Sequence, residues 1–173
     1  TPVLYVAGRW VIGNGDGSLS YSNDNGVSWT KTAAVFSSPS FAKVNTIIHD
    51  GTKWLAAAVD WFTLAVQVAS SADGITWSVC YTSGGTLAYN QGATSAWGPS
   101  MYVLNGKVVL ICSDSATGVQ CVTYSTDHGA TWTTTALPGE MASIVDDDRV
   151  LSASYDALRD KYLFFGWTVN GSL

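Results

Sequence analysis

Charge is scarce in this chain. Only 12% of its 173 residues are Asp, Glu, Lys or Arg, about half the share in an average soluble domain. Glu140 is the only glutamate. Coiled coils and helical bundles draw heavily on Glu, Lys and Leu, so the composition argues against both. Basic residues number 8 against 13 acidic ones, giving a net charge of -5. That balance lacks the basic footprint of a nucleic-acid binder. Long apolar runs are also missing. The longest, such as 55–59 and 108–112, are strand-sized, far short of the roughly 18 residues of a membrane helix. The chain opens on Thr1 with no signal-peptide pattern, which fits a processed chain or an excerpt of a longer one. Cysteines are few and odd in number, at 80, 112 and 121, and match no zinc spacing. Buried thiols fit them. Cys112 and Cys121 flank a short turn symmetrically, so a cross-strand disulfide fits as well. No Gly-x-Ser-x-Gly elbow or glycine-rich phosphate loop is present.

What the chain does have is apolar surface and turns. Hydrophobic residues make up 47% and glycines number 17, which excludes a disordered tail and allows one domain with a sizeable core. One short pattern occurs three times: Ser22-Asn23-Asp24-Asn25-Gly26-Val27-Ser28-Trp29, Ser71-Ala72-Asp73-Gly74-Ile75-Thr76-Trp77, and Ser125-Thr126-Asp127-His128-Gly129-Ala130-Thr131-Trp132. The second copy lacks the residue between Asp and Gly. A second pattern keeps step with it. A basic residue opens an apolar run at Arg9-Trp10-Val11-Ile12, Lys53-Trp54-Leu55-Ala56, Lys107-Val108-Val109-Leu110 and Lys161-Tyr162-Leu163-Phe164.

Each period reads as four strands; in the third these are 100–104, 107–112, 119–125 and 131–135. Asn105-Gly106 is a tight hairpin signal between the first two. Val, Ile, Thr, Tyr and Trp dominate the runs, as strands prefer. Four antiparallel strands every fifty or so residues is the signature of a β-propeller blade. The expected fold is all-β, a propeller with blades near 3–32, 44–82, 100–136 and 150–173. The last is expected to stop as its third strand begins, so the ring is incomplete. Completion is expected from further parts of a longer chain, or by a second copy. An exposed apolar face at one or both ends should accompany it.

The Ser-x-Asp-x-Gly-x-x-Trp copies resemble Asp boxes, the BNR repeat of sialidase-type propellers, over nearly the whole chain. The residues also make sense by themselves. Glycine permits positive φ, the carboxylate accepts N–H groups of the turn, and the indole offers an apolar face to a neighbouring blade. Ser22, Asp24, Gly26, Trp29, Ser71, Asp73, Gly74, Trp77, Ser125, Asp127, Gly129 and Trp132 are therefore read as structural. The three tryptophans are expected in equivalent buried positions. The resemblance likewise implies that the boxes lie away from the functional face.

Antiparallel strands alternate direction, so Arg9, Lys53, Lys107, Arg159 and Lys161 should share the box end. Asn14, Asp16 and a set of aromatic and charged residues then fall at the opposite end. The ligand-binding candidates there are Asp60, Trp61, Phe62, Tyr89, Trp97, Asp114, Arg149 and Trp167, since aromatic planes beside Asp and Asn suit sugar rings. No cofactor is required, although Asp146, Asp147 and Asp148 have the oxygen chemistry of a calcium site. The resemblance implies, for a sialidase, three arginines from different blades, a Tyr with a Glu, and an Asp acid; such enzymes depart from the two-carboxylate rule. This chain has three arginines, Arg9, Arg149 and Arg159, and the alternation puts two at the box end. No catalytic residue is therefore assigned within it. Segments such as Gly8-Arg9-Trp10-Val11-Ile12-Gly13 resemble the Asp-box repeats of phage tail and tailspike proteins. The expected role is a non-catalytic recognition or structural module, extracellular or on a virion. Its expected partners are cell-surface glycans or other surface proteins, not nucleic acid or a membrane interior. The alternative is a fragment of a sialidase or related glycoside hydrolase whose catalytic residues lie mostly elsewhere.

Overall fold

The computed structural model describes residues 1–36, 42–60, 65–83, 87–88, 99–114, 120–136 and 149–167. Among them every regular element is a strand, as the expected all-β class requires. Four antiparallel sheets follow one another along the chain. Sheet one runs β1 (Val3–Val6), β2 (Arg9–Gly13), β3 (Leu19–Ser22), β4 (Thr30–Lys31). Sheet two runs β5 (Ala42–His49), β6 (Trp54–Asp60), β7 (Val66–Ser71), β8 (Ser78–Thr82). A short β9 (Leu87–Ala88) comes next. Sheet three runs β10 (Ser100–Leu104), β11 (Lys107–Asp114), β12 (Gln120–Ser125), β13 (Thr133–Ala136), and β9 pairs with the far end of β11. Sheet four pairs β14 (Arg149–Asp156) with β15 (Lys161–Trp167). Within each sheet, β9 apart, each strand pairs with the next in sequence, the meander of a propeller blade.

The basic residue that opens each second strand sets a common phase. In β6, Trp54, Ala56 and Ala58 pack against sheet one, while Leu55 and Ala57 pack against sheet three. In β11, Val108, Leu110 and Cys112 face sheet two, and Val109 and Ile111 face sheet four. In β2, Val11 faces sheet two, and in β15 Phe164 faces sheet three. So the residue after the basic one looks back along the chain, and the next looks forward. Side chains alternate across a strand, so a one-residue slip in any sheet would reverse every contact. Neighbouring strands obey the same phase. Ile47, paired with Ala56, looks back, and Ile48, paired with Leu55, looks forward. All seven residues of β6 are buried, the continuous apolar run of a strand covered on both faces. The first strands stack on one another, β5 on β1, β10 on β5 and β14 on β10. These are the incomplete propeller's successive blades, and sheets one to four are called blades hereafter.

The two-residue turn Asn105-Gly106 has φ of 49° and 72°, the left-handed pair that a tight hairpin requires. A different demand falls on Gly13, which ends β2. Its N–H donates to the Pro2 carbonyl at 3.0 Å, and the Val44 N–H reaches the Asn14 carbonyl beside it. A Cβ at Gly13 would sit 2.5 Å from Val44 Cγ1 and 2.9 Å from Pro2 Cγ. Blade two's first strand rests directly on this backbone, and a β-branched side chain has little freedom to give way. Gly13→Ala is expected to lower stability by about 1–3 kcal/mol through overpacking. Gly15→Ala, where nothing lies within 4 Å, should stay within about 0.5 kcal/mol. Denaturant melts of both variants check this, and equal effects would contradict the packing account.

Candidate functional site

Three turns joining the third and fourth strands of blades one to three share one hydrogen-bond scheme. In the first, Ser22 Oγ donates to Asp24 Oδ1 at 2.7 Å and accepts the Gly26 N–H at 2.8 Å. Asp24 also accepts the Ser28 N–H at 2.9 Å and the Ser28 hydroxyl. In the third, Ser125 Oγ donates to Asp127 at 2.8 Å and accepts the Gly129 N–H at 2.8 Å. The Thr131 N–H and hydroxyl reach Asp127 at 2.8 and 2.6 Å. The second turn is a residue shorter. Ser71 makes the same two bonds, and Asp73 accepts the Ile75 and Thr76 N–H groups at 2.9 and 2.8 Å. These donors hold all three carboxyls at about 2, from an ordinary 3.8. The Ser28 and Thr131 hydroxyls act most strongly in the outer two, and the Thr76 N–H in the middle one.

The missing residue in the second turn has a local consequence. Asn25-Gly26 and His128-Gly129 each place two consecutive residues at positive φ, whereas Gly74 does so alone. Trp29 and Trp132 donate their indole N–H to the Gly26 and Gly129 carbonyls at 3.1 and 3.0 Å. The buried Trp77 indole N–H has no partner.

The expectation of three equivalent buried tryptophans needs correction. Trp77 and Trp132 are half-buried, packed into the cores between blades one and two and between two and three. Trp29 is 42% exposed. Each box indole leans toward the preceding blade, and among the described residues no sheet lies on that side of blade one.

These turns also hold neighbouring blades together. Arg9 of blade one donates to Asn23 Oδ1 at 2.7 Å and to the Asp73 carbonyl in the blade-two box. Asp50, in the β5–β6 turn, lies 2.9 Å from His128 Nδ1 in the blade-three box. Burial pushes the Asp50 carboxyl up, but the Lys53 and Thr52 N–H groups and His128 outweigh it and leave it lowered. Lys107 Nζ sits over the Tyr124 ring and over Tyr162 of blade four, 5.3 and 5.1 Å from the centroids. A Cβ at Gly129 would lie 2.8 Å from Leu55 Cδ2 of blade two. The His128–Asp50 pair is absent from the sequence reading, since nothing in either local pattern marks two residues 78 apart as partners.

At the other end of the blades, register locates four of the ligand-binding candidates. Trp54 pairs with Ser71 beside a box, so Asp60 closes β6 at the opposite end. Asp114 ends β11 opposite the Lys107 end, paired with Leu87. Arg149 and Trp167 are direct cross-strand partners, opposite the turn between Asp156 and Lys161. Asp60 is buried, and its N–H donates to the Ala65 carbonyl at 2.9 Å. Trp61, Phe62, Tyr89 and Trp97 lie outside the described residues, as do Asp146, Asp147 and Asp148. Asn14 and Asp16 are engaged locally: Asn14 donates to Ser18 and Ser20, and Asp16 accepts from Ser18 and pairs with Lys31 at 2.6 Å. Cys112 and Cys121 are direct cross-strand partners, both buried, and they and Cys80 are thiols.

A carboxyl held low in the folded chain takes up protons more readily when unfolded. The boxes' contribution is therefore full above pH 3.8 and is lost as pH falls toward about 2. Melting temperature should fall over that window, and Asp127→Asn should flatten the fall. An acid limb unchanged in that variant would contradict the clamp role.

No family model matches the chain. No curated protein matches it either. Among solved structures it is similar to the GH32 β-fructofuranosidase of Bombyx mori, at 14% identity and a TM-score of 0.44, over 76% of this chain and 35% of that one. It is similar to the Hadza microbial sialidase Hz136 at 21% identity and a TM-score of 0.41, over 68% of this chain and 24% of that one. A third is the β-fructofuranosidase of Schwanniomyces occidentalis, at 14% identity and a TM-score of 0.44, over 74% and 29%. The chain spans a quarter to a third of the length of these structures. The propeller assignment rests on strand order and register.

Proposed function

We propose that this chain is a non-catalytic Asp-box propeller segment that displays loops for recognition, within an extracellular or virion-surface assembly. One observation carries the reading. The box carboxylates are fully engaged as turn clamps at one end of the blades, and the connections after Asp60, Asp114 and Trp167 leave from the other. Loops on a rigid sheet scaffold are where recognition residues concentrate. The proposed ligand is a cell-surface glycan. The aromatic candidates Trp61, Phe62, Tyr89, Trp97 and Trp167 would supply flat apolar platforms, and Asp60, Asp114 and Arg149 the polar contacts. Other surface proteins are the alternative partner class. Neither nucleic acid nor a membrane interior is proposed as a partner. The binding needs no cofactor, and calcium at Asp146, Asp147 and Asp148 would be an addition to it.

A second reading, a portion of a sialidase or related glycoside hydrolase, has one feature in its favour. Asp60 is a carboxylate only 5% exposed at the loop-bearing end, and shielded carboxyls at such ends are candidates for acid–base work.

Glycan-array binding decides between them. Under the first reading the chain retains a glycan, Trp61→Ala and Trp97→Ala weaken binding at least tenfold, and Lys53→Ala and Lys107→Ala do not. A ligand lost on changing the box-end lysines would overturn the assignment of the face. Turnover of chromogenic sialosides or fructosides by the chain, abolished in Asp60→Asn, would favour the second reading.

A further inference from the structure

Four Asn-Gly pairs occur in the chain, at 14–15, 25–26, 105–106 and 170–171. The last lies outside the described residues. The dipeptide has a reactivity of its own. With no side chain on the glycine, its backbone nitrogen can reach the carboxamide carbon of the asparagine before it. The three described pairs hold that chemistry in three different settings. Asn25-Gly26 and Asn105-Gly106 share a backbone conformation, with φ of 57° and 87° in the first and 49° and 72° in the second. Both asparagines are exposed. They differ in what holds the glycine nitrogen. The Gly26 N–H donates to Ser22 Oγ at 2.8 Å, in a turn that Ser22 and Ser28 also fasten through Asp24. Among the described residues nothing hydrogen-bonds the Gly106 N–H or the Asn105 carboxamide. Asn14 is restrained at the other reacting group. It is half-buried, and its carboxamide nitrogen donates to the buried Ser18 and Ser20 hydroxyls at 2.8 and 3.0 Å.

We propose that Asn105 is a self-modification site, deamidating through a cyclic imide, and that the Ser22 clamp shields Asn25 from the same reaction. The Gly106 nitrogen gives up its proton and bonds to Asn105 Cγ. The Cγ–Nδ2 bond breaks, and ammonia leaves after taking up that proton. Water then adds to one of the two ring carbonyls and breaks its bond to the nitrogen. Opening on the side-chain side gives aspartate, and opening at the original peptide bond gives isoaspartate. Water is the only co-reactant. Attack requires the asparagine to leave its left-handed turn conformation, a cost the two turns share because their φ angles agree. At Asn25 the opening must also break the bond between Gly26 and Ser22. Isoaspartate lengthens the backbone by one carbon, which the two-residue turn setting Leu104 opposite Lys107 cannot absorb unchanged.

Peptide mapping by mass spectrometry, on the 173-residue chain incubated at mildly alkaline pH, follows all three sites in one sample. In the folded chain Asn105 should convert about tenfold or more faster than Asn25 and Asn14, the factor that one or two turn hydrogen bonds supply. In urea the three rates should converge, because the dipeptide is the same. Ser22→Ala frees the Gly26 N–H and should raise conversion at Asn25 toward that at Asn105 while Asn14 stays slow, which also shows that the variant is folded. Should all three sites accelerate together, the variant has unfolded, and the wild-type chain with and without urea decides the matter. Equal rates at Asn25 and Asn105 in the folded chain would overturn the proposal. So would an Asn105 as slow as Asn14, an unchanged Asn25 in a folded Ser22→Ala chain, or a wild-type order of rates that persists in urea.

Discussion

Every sheet in this chain must bury two faces, and that constraint governs the rest of the structure. A four-stranded meander with one apolar face could rest on a single partner. Here the second strands are apolar on both sides, so each sheet needs a neighbour before and a neighbour after it. The three small alanines of β6 let blades one and three approach it closely, while Trp54 and Leu55 supply bulk at the box end. Buried apolar area, at about 25 cal/mol per Å², comes chiefly from these between-blade layers. The hydrogen-bonded turns fix the phase in which the layers meet.

The three Ser-Asp-Gly turns serve that phase. A fourth strand slipped by one residue in its pairing would present the wrong face. Serine, aspartate and glycine bind one another and the turn backbone, so the chain leaves the third strand along a single path. The same turns reach back to the preceding blade through Arg9 and Asp73, through Asp50 and His128, and through the contact of Gly129 with Leu55. Clamp and interface are thus one device. It leaves the ends of the strands at Asp60, Asp114 and Trp167 on the opposite side of the blades.

The architecture was legible because it is periodic. The basic-apolar openings and the Ser-x-Asp-x-Gly-x-x-Trp turns recur at related spacings, and each has a local physical cause. Contacts without a period were not legible. Strand β9 is two residues long and pairs with β11 only through a tertiary approach. The pair His128–Asp50 likewise depends on two blades being stacked. The exposure of Trp29 was missed because three similar motifs invite one environment, whereas burial depends on which neighbour is present. Register places Asp60, Asp114, Arg149 and Trp167 at the end that strand alternation predicts. What those residues touch is a question of side-chain chemistry that neither periodicity nor register answers.

Amide hydrogen exchange, read strand by strand, tests the two-sided burial most directly, because opening energies follow the local depth of packing. The account predicts the slowest exchange in β6 and β11, each covered on both faces. It predicts faster exchange in β1, whose outer face is open, and the fastest in the exposed β4. Exchange in β6 as fast as in β4, or four sheets that open independently at equal rates, would contradict it.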